Sequence, residues 1–218
     1  MAILNIAVYK FFDFEVDLEQ AKADFLQRCH ELELLGSVIL APEGVNCFVA
    51  GSAEQVNTFK AFLSQYTGIG DYWFKESWSK VRPFRRMRVK VKPHIIPLRV
   101  SGIDPRKRTA PTMAPGQLAQ WIEDGKDFIL LDTRNDFEVR VGAFAQAMHF
   151  DIQHFCDFND ELKQLPEEAK DKPVVMYCTG GIRCEKASPL MMDAGFKEVY
   201  QLEGGILNYF EKLGGKHY

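Results

Sequence analysis

The sequence predicts an α/β protein of two unlike domains: a split β-α-β sandwich, then a parallel-sheet domain with helices on both faces. Three observations predict it. The chain has 218 residues, which suits two domains of about 100 residues each. The first hundred residues alternate strand and helix periodicities in the order βαββαβ. The last hundred alternate short, continuously apolar strands with helices through short connections, the pattern of a buried parallel sheet.

The first strand is Ile3–Phe12, rich in β-branched and aromatic residues. Over Asp17–Leu35, Leu18, Ala21, Phe25, Leu26, Cys29 and Leu32 recur at three- and four-residue steps, the spacing of an amphipathic helix. Gly36 is expected to end it. Ser37–Ala41 and Val45–Ala50 read as strands around the turn Pro42-Glu43-Gly44. Ser52, with Gln55 three residues on, opens a second helix as a capping box. Gly68 and Gly70 stop that helix, and Tyr72–Trp78 and Met87–Val91 are extended. This order makes residues 1–99 a ferredoxin-like α+β sandwich.

Residues 100–115 carry three prolines, a glycine and three consecutive basic residues, and read as an inter-domain linker. In residues 116–218, Pro115 starts a helix through Trp121 and Ile122, and Phe128–Leu131 is a buried strand with Asp132-Thr133-Arg134 at its carboxyl end. Glu161–Leu165 reads as a short helix. Strand Val174–Tyr177, helix Arg183–Ala194 around a kinking Pro189, strand Val199–Leu202 and helix Ile206–Leu213 complete the domain. Reactive groups of such sheets collect at the carboxyl ends of the strands, where Asp132 and Cys178 fall.

Composition bounds the function. No run of about 20 apolar residues exists, so no membrane span is expected. The start has no basic region ahead of an apolar segment, and a cytoplasmic protein is expected. Five cysteines without framework spacing read as free thiols. Neither a Cys-x-x-Cys metal spacing nor a Rossmann glycine fingerprint occurs, so no metal or nucleotide cofactor is read from the sequence. The net charge is −3, yet residues 80–108 hold eleven Lys/Arg against one acid, Asp104. Arg82, Arg85, Arg86, Arg88, Lys90, Arg106, Lys107 and Arg108 are therefore RNA-contact candidates, the alternative being a solvated edge and a basic linker. Trp73, Trp78 and Phe84 beside them read as core residues more readily than as base-stacking platforms.

The chemistry concentrates at Cys178-Thr179-Gly180-Gly181-Ile182-Arg183-Cys184, between a strand and a helix. The free N–H groups and positive dipole of a helix start favour an anion, and a thiolate is one. Two glycines let the backbone close around the sulfur, and Arg183 adds positive charge. The expected catalytic group is thus an ionised, solvent-reachable Cys178 with Thr179, Gly180, Gly181, Ile182 and Arg183 as its loop. Cys184, six residues on and within the first turn of the helix, is either a resolving thiol or a core residue.

Asp132-x-Arg134 with Glu138, Gly142-Ala143-Phe144, Cys178-x-x-x-x-Arg183, Gly195-Phe196 and Leu202-x-Gly204-Gly205 together resemble the rhodanese domain. That resemblance implies a sulfane-carrying loop cysteine at Cys178 and a structural role for Asp132 and Arg134. Phosphatases with a related loop carry their arginine six positions after the cysteine, where this chain has Cys184. The string Tyr177 to Lys186, with Leu202 to Leu207, Leu40 to Asn46 and Pro83 to Arg88, is similar to the bacterial tRNA uridine hydroxylase family. The family resemblance implies a rhodanese-like domain behind a ferredoxin-like one. It also implies oxygen-dependent 5-hydroxylation of uridine 34 in the tRNA anticodon, molecular oxygen as co-substrate, dependence on Cys178, and in many members a further cysteine-containing tail. Two other readings stay open: a sulfurtransferase working through a Cys178 persulfide, and a non-catalytic RNA-binding adaptor.

Overall fold

The computed structural model describes residues 2–218 and divides into two compact units, one ending at Ile95 and one beginning at Ile96. In the first unit, β1 (Ile3–Phe11), β2 (Leu35–Ala41), β3 (Gly44–Gly51), β4 (Lys75–Ser79) and β5 (Met87–Val91) form one sheet in the order β4-β1-β3-β2-β5. The four strands β4-β1-β3-β2 pair antiparallel, as a ferredoxin-like sandwich requires, and β5 adds a parallel edge beside β2. Helices α1 (Leu18–Glu31) and α2 (Ala53–Thr67) lie against one face. Leu4, Ile6 and Val8 of β1 point into that core, with Phe25 and Phe59 from the helices. Asp17 caps α1 by accepting from Gln20 N–H at 2.7 Å, and Ser52 with Gln55 forms the expected capping box on α2.

Gly36 does not end α1. The helix stops at Leu32, and Gly36 lies inside β2 at φ +145°, where a Cβ would sit 2.0 Å from the Phe48 carbonyl oxygen. Trp73 and Trp78 are not core residues either: they are 49% and 60% exposed, Trp78 on the edge strand β4 and Trp73 in the irregular segment before it.

The second unit is a sheet β6-β10-β9-β7-β8, parallel at every pairing. Its strands are β6 (Thr112–Met113), β7 (Ile129–Asp132), β8 (Met148–His149), β9 (Val174–Tyr177) and β10 (Val199–Leu202). Its helices are α3 (Pro115–Glu123), α4 (Asp136–Val139), α5 (Phe158–Leu162), α6 (Ile182–Asp193) and α7 (Gly205–Leu213). The short helix expected over 161–165 therefore starts three residues earlier, where Phe158 is fully buried.

The expected linker over 100–115 is part of this unit. Leu98 and Ala110 are buried in its core, and Thr112 and Met113 pair with Gln201 and Leu202. Pro189 supplies a reason. A proline inside α6 leaves the carbonyl four residues earlier without its helical donor. Thr109 Oγ1 lies 3.5 Å from that Glu185 carbonyl, and Ser188 Oγ accepts from Ala110 N–H at 3.0 Å. The proline-rich segment is thus laid against α6 by hydrogen bonds to it. No helix among the described residues is long and apolar enough to cross a membrane.

Candidate active site

Strand β9 is buried along its whole length and ends at Tyr177, so the chain leaves the sheet with Cys178 at its carboxyl edge. Gly181, at φ +105°, turns the backbone into α6. That turn aims the Gly181 N–H at the Cys178 sulfur, 3.0 Å away. The loop is held from behind by α7. Ile206 N–H donates to the Cys178 carbonyl at 2.9 Å and Leu207 N–H to the Thr179 carbonyl at 3.2 Å. Gly205 is obligatory at this contact: a Cβ there would sit 2.4 Å from the Cys178 carbonyl oxygen and 2.8 Å from that of Thr179. With their carbonyls engaged by one helix start, the loop residues turn N–H groups toward the sulfur at another.

Charge around the loop is fixed by Glu138 on α4. Arg183 donates to both its carboxylate oxygens, at 2.6 and 2.7 Å. Thr179 Oγ1 donates at 2.7 Å and Asn135 N–H at 3.2 Å. Burial pushes the Glu138 carboxyl up, but Arg183 and Thr179 outweigh it and hold it below the usual carboxylate range. Sequence reading placed Glu138 only in a motif; its clamp on Arg183 joins residues 45 apart, which no local pattern reports. Behind the clamp, Asp132 accepts from Arg134 Nη2 at 2.6 Å, and the same nitrogen donates to the Gly142 carbonyl at 2.7 Å. Both side chains are buried, so this pair braces the end of β7.

The two thiols behave oppositely. Burial pushes Cys178 up. Against burial act the Cys184 S–H, the Arg183 charge and the N–H groups of Arg183 and Gly181, and together they bring it well below the ordinary thiol value. Burial and the neighbouring Cys178 push Cys184 well above it. Thr133 Oγ1, 3.6 Å from the Cys184 sulfur, spends its own proton on the Tyr177 carbonyl at 3.0 Å. The opposite shifts favour ionisation of Cys178 over that of Cys184. Accessibility differs from expectation: Cys178 is 0% exposed. Cys178 belongs to the hydrophobic core of the unit, together with Met176, Cys184 and Ala187, so its sulfur is not held at an open mouth, while the Gly181 N–H reaches it at 3.0 Å.

With this geometry in hand, likeness to known proteins is decisive. The chain is 44% identical to the tRNA uridine(34) hydroxylase of Cupriavidus pinatubonensis over 223 aligned residues, all of this chain and 79% of that one. It is 43% identical to the protein of that name from Thiobacillus denitrificans, over 100% of this chain and 90% of the relative. The chain belongs to the tRNA uridine(34) hydroxylase family. Residues 3–95 match the UPF0176 acylphosphatase-like domain and residues 114–212 the rhodanese-like domain. Among solved structures, a rhodanese-like domain protein from Staphylococcus aureus is 20% identical, with a TM-score of 0.40, over 45% of this chain and 90% of that one.

The basic residues of this family member divide into two sets. In the second unit, Arg106 is held by Asp104 at 2.6 Å, Lys107 lies 3.9 Å from the same carboxylate, and Arg108 is held by Asp193 at 2.5 Å. In the first unit, Arg85, Arg86, Arg88 and Lys90 line one groove of about 740 Å³. None of these four forms an ion pair among the described residues. Arg82 lines a separate groove with Lys80.

Proposed function

We propose that the protein hydroxylates C5 of the wobble uridine, position 34, in the anticodon of cytoplasmic tRNA, and that Cys178 is the catalytic residue. The observation that carries the reading is a strand-end cysteine whose sulfur accepts the Gly181 N–H at 3.0 Å, in a chain alike over its whole length to relatives bearing that activity in their names. Thr179, Gly180, Gly181, Ile182 and Arg183 form the cradle, with Glu138 positioning Arg183. Cys184 serves as the proton-holding partner that keeps Cys178 ionised. Asp132 and Arg134 brace the strand end. The covered sulfur requires the loop around Gly180 and Gly181 to open for a base to approach. Arg85, Arg86, Arg88 and Lys90 are the cations that meet RNA, since they hold no protein acid, whereas Arg106 and Arg108 do.

The rhodanese-like match over residues 114–212 favours one second reading, sulfur transfer through a Cys178 persulfide. Nucleoside mass spectrometry of tRNA from a deletion strain decides between them. The hydroxylase reading predicts loss of 5-hydroxyuridine, restored by the wild-type gene and not by Cys178→Ser. Unchanged 5-hydroxyuridine, with cyanide-dependent sulfur transfer from thiosulfate lost in Cys178→Ser, would establish the other reading. Full complementation by Cys178→Ser, with function abolished by reversing Arg85, Arg86 and Arg88 to Glu, would leave a non-catalytic RNA-binding adaptor.

A further inference from the structure

The helix-free face of the first unit's sheet carries an arrangement that the loop chemistry does not use. Side chains alternate across a strand, and on β1 the even positions Leu4, Ile6 and Val8 fill the core. The odd positions therefore stand on the opposite face, and the strand register extends that face across the sheet. Lys75 of β4 pairs with Ala7 of β1, Ala7 with Phe48 of β3, Phe48 with Ser37 of β2, and Ser37 with Arg88 of β5. The next row runs Tyr9, Asn46, Ile39, Lys90. Phe48, on the middle strand, is 47% exposed. Tyr9 is its diagonal neighbour on the same face and makes an edge contact with the Phe11 ring, 6.1 Å between centroids. No paired position on this face is an Asp or Glu. The groove formed by Ser37, Phe84, Arg85, Arg86, Arg88 and Lys90 continues the face along its β5 edge.

We propose that this face is a platform for single-stranded RNA: Phe48, with Tyr9, stacks unpaired bases, while Arg86, Arg88 and Lys90 track the adjoining phosphates. Strands are about 4.8 Å apart, so the Arg88 position lies two strand spacings, about 10 Å, from the Phe48 position. Stacking aromatics on central strands with cations at the rim is the physical pattern by which open sheets hold splayed RNA bases. A face with no acid at its paired positions, beside arginines that form no ion pair among the described residues, suits a polyanion, and an exposed ring mid-sheet suits the open faces of unpaired bases better than the phosphate exterior of a duplex. The inference rests on the tRNA reading above and adds the place and the strand state of the RNA: the unpaired anticodon loop, not its paired stem.

The test uses the full chain, an anticodon stem-loop RNA and a fully paired RNA duplex of equal length. Phe48→Ala is expected to weaken stem-loop binding about 10-fold, with the salt dependence and the duplex affinity unchanged. Phe48→Trp restores the affinity. Arg88→Ala with Lys90→Ala is expected to lower the salt slope by about 1.4, at about 0.7 per released single-strand phosphate contact. Phe48 is exposed, so its truncation leaves the core intact. Wild-type stem-loop affinity in Phe48→Ala, or equal weakening toward stem-loop and duplex, overturns the platform while leaving the hydroxylase reading standing. A change in sedimentation of Phe48→Ala without loss of RNA affinity overturns it in favour of a protein partner. Absence of any stem-loop binding by the wild-type chain overturns both.

Discussion

Gly205→Ala tests how the cysteine loop is held. The new Cβ would fall 2.4 Å from the Cys178 carbonyl oxygen, 2.8 Å from that of Thr179 and 2.9 Å from Gly180 N, all backbone atoms that cannot rotate away. Gly205 also sits at φ +65°, where a side chain is strained. The strain alone costs about 1–2 kcal/mol, and overpacking adds about 1–3 kcal/mol. Gly125, at the end of α3, supplies the control: its φ is +61°, with nothing within 4 Å of the added carbon. Gly125→Ala should therefore cost only the strain of about 1–2 kcal/mol, and Gly205→Ala about 2–5 kcal/mol in total. The chain has three tryptophans. Urea unfolding followed by Trp121 fluorescence, with Trp73 and Trp78 replaced by Phe, reads the second unit alone. Pushing the loop off α7 also breaks the bonds from Ile206 and Leu207, so the Gly181 N–H loses its aim and the Cys178 pKa rises in Gly205→Ala only. Equal destabilisation of the two variants, with unaltered thiol titration, would refute the account of the loop.

Other predictions concern charge. Cys184→Ala removes the S–H donor and should raise the Cys178 pKa, read as a slower iodoacetamide reaction at neutral pH under mild denaturant; an unaltered rate-versus-pH curve contradicts it. Glu138→Gln keeps the shape but not the charge that Arg183 needs, and should destabilise the second unit by about 1.5–3 kcal/mol, measured by the same urea transition; a loss under 0.5 kcal/mol, about the scatter of surface substitutions, contradicts the clamp. Cys178 is lowered in the folded state, so between its folded pKa and the unfolded thiol value of about 8.5 the unfolded chain binds more protons. The stability this contributes is full above about pH 8.5 and is lost as pH falls through the folded pKa. The stability difference between wild type and Cys178→Ala should accordingly grow with pH across that window; a flat difference argues against ionisation.

The order of strands and helices was legible because it rests on periodicity and on local signals such as Ser52 with Gln55 and the glycines around Cys178. Misreadings came where a distant neighbour decides the matter. Gly36 resembles a helix stop, yet what requires glycine is the Phe48 carbonyl on another strand. The segment over 100–115 has linker composition, yet its hydroxyl and N–H groups answer the carbonyl and hydroxyl of a proline-bearing helix some 78 residues on. At the site, the sequence located the thiol and its arginine, but the Glu138 clamp, the α7 support and the closure over the sulfur depend on long-range approach. Charge counts likewise cannot separate Arg106 and Arg108, which have acids, from Arg85 to Lys90, which do not.

Titration of the ultraviolet thiolate absorbance of the native full chain, taken as the difference between wild type and Cys178→Ser, addresses the enclosed anion directly. The predicted result is one ionisation well below the ordinary thiol range, absent from the Cys178→Ser protein. A wild-type curve with no step below that range would mean that the amides, Arg183 and Cys184 do not sustain a thiolate at Cys178.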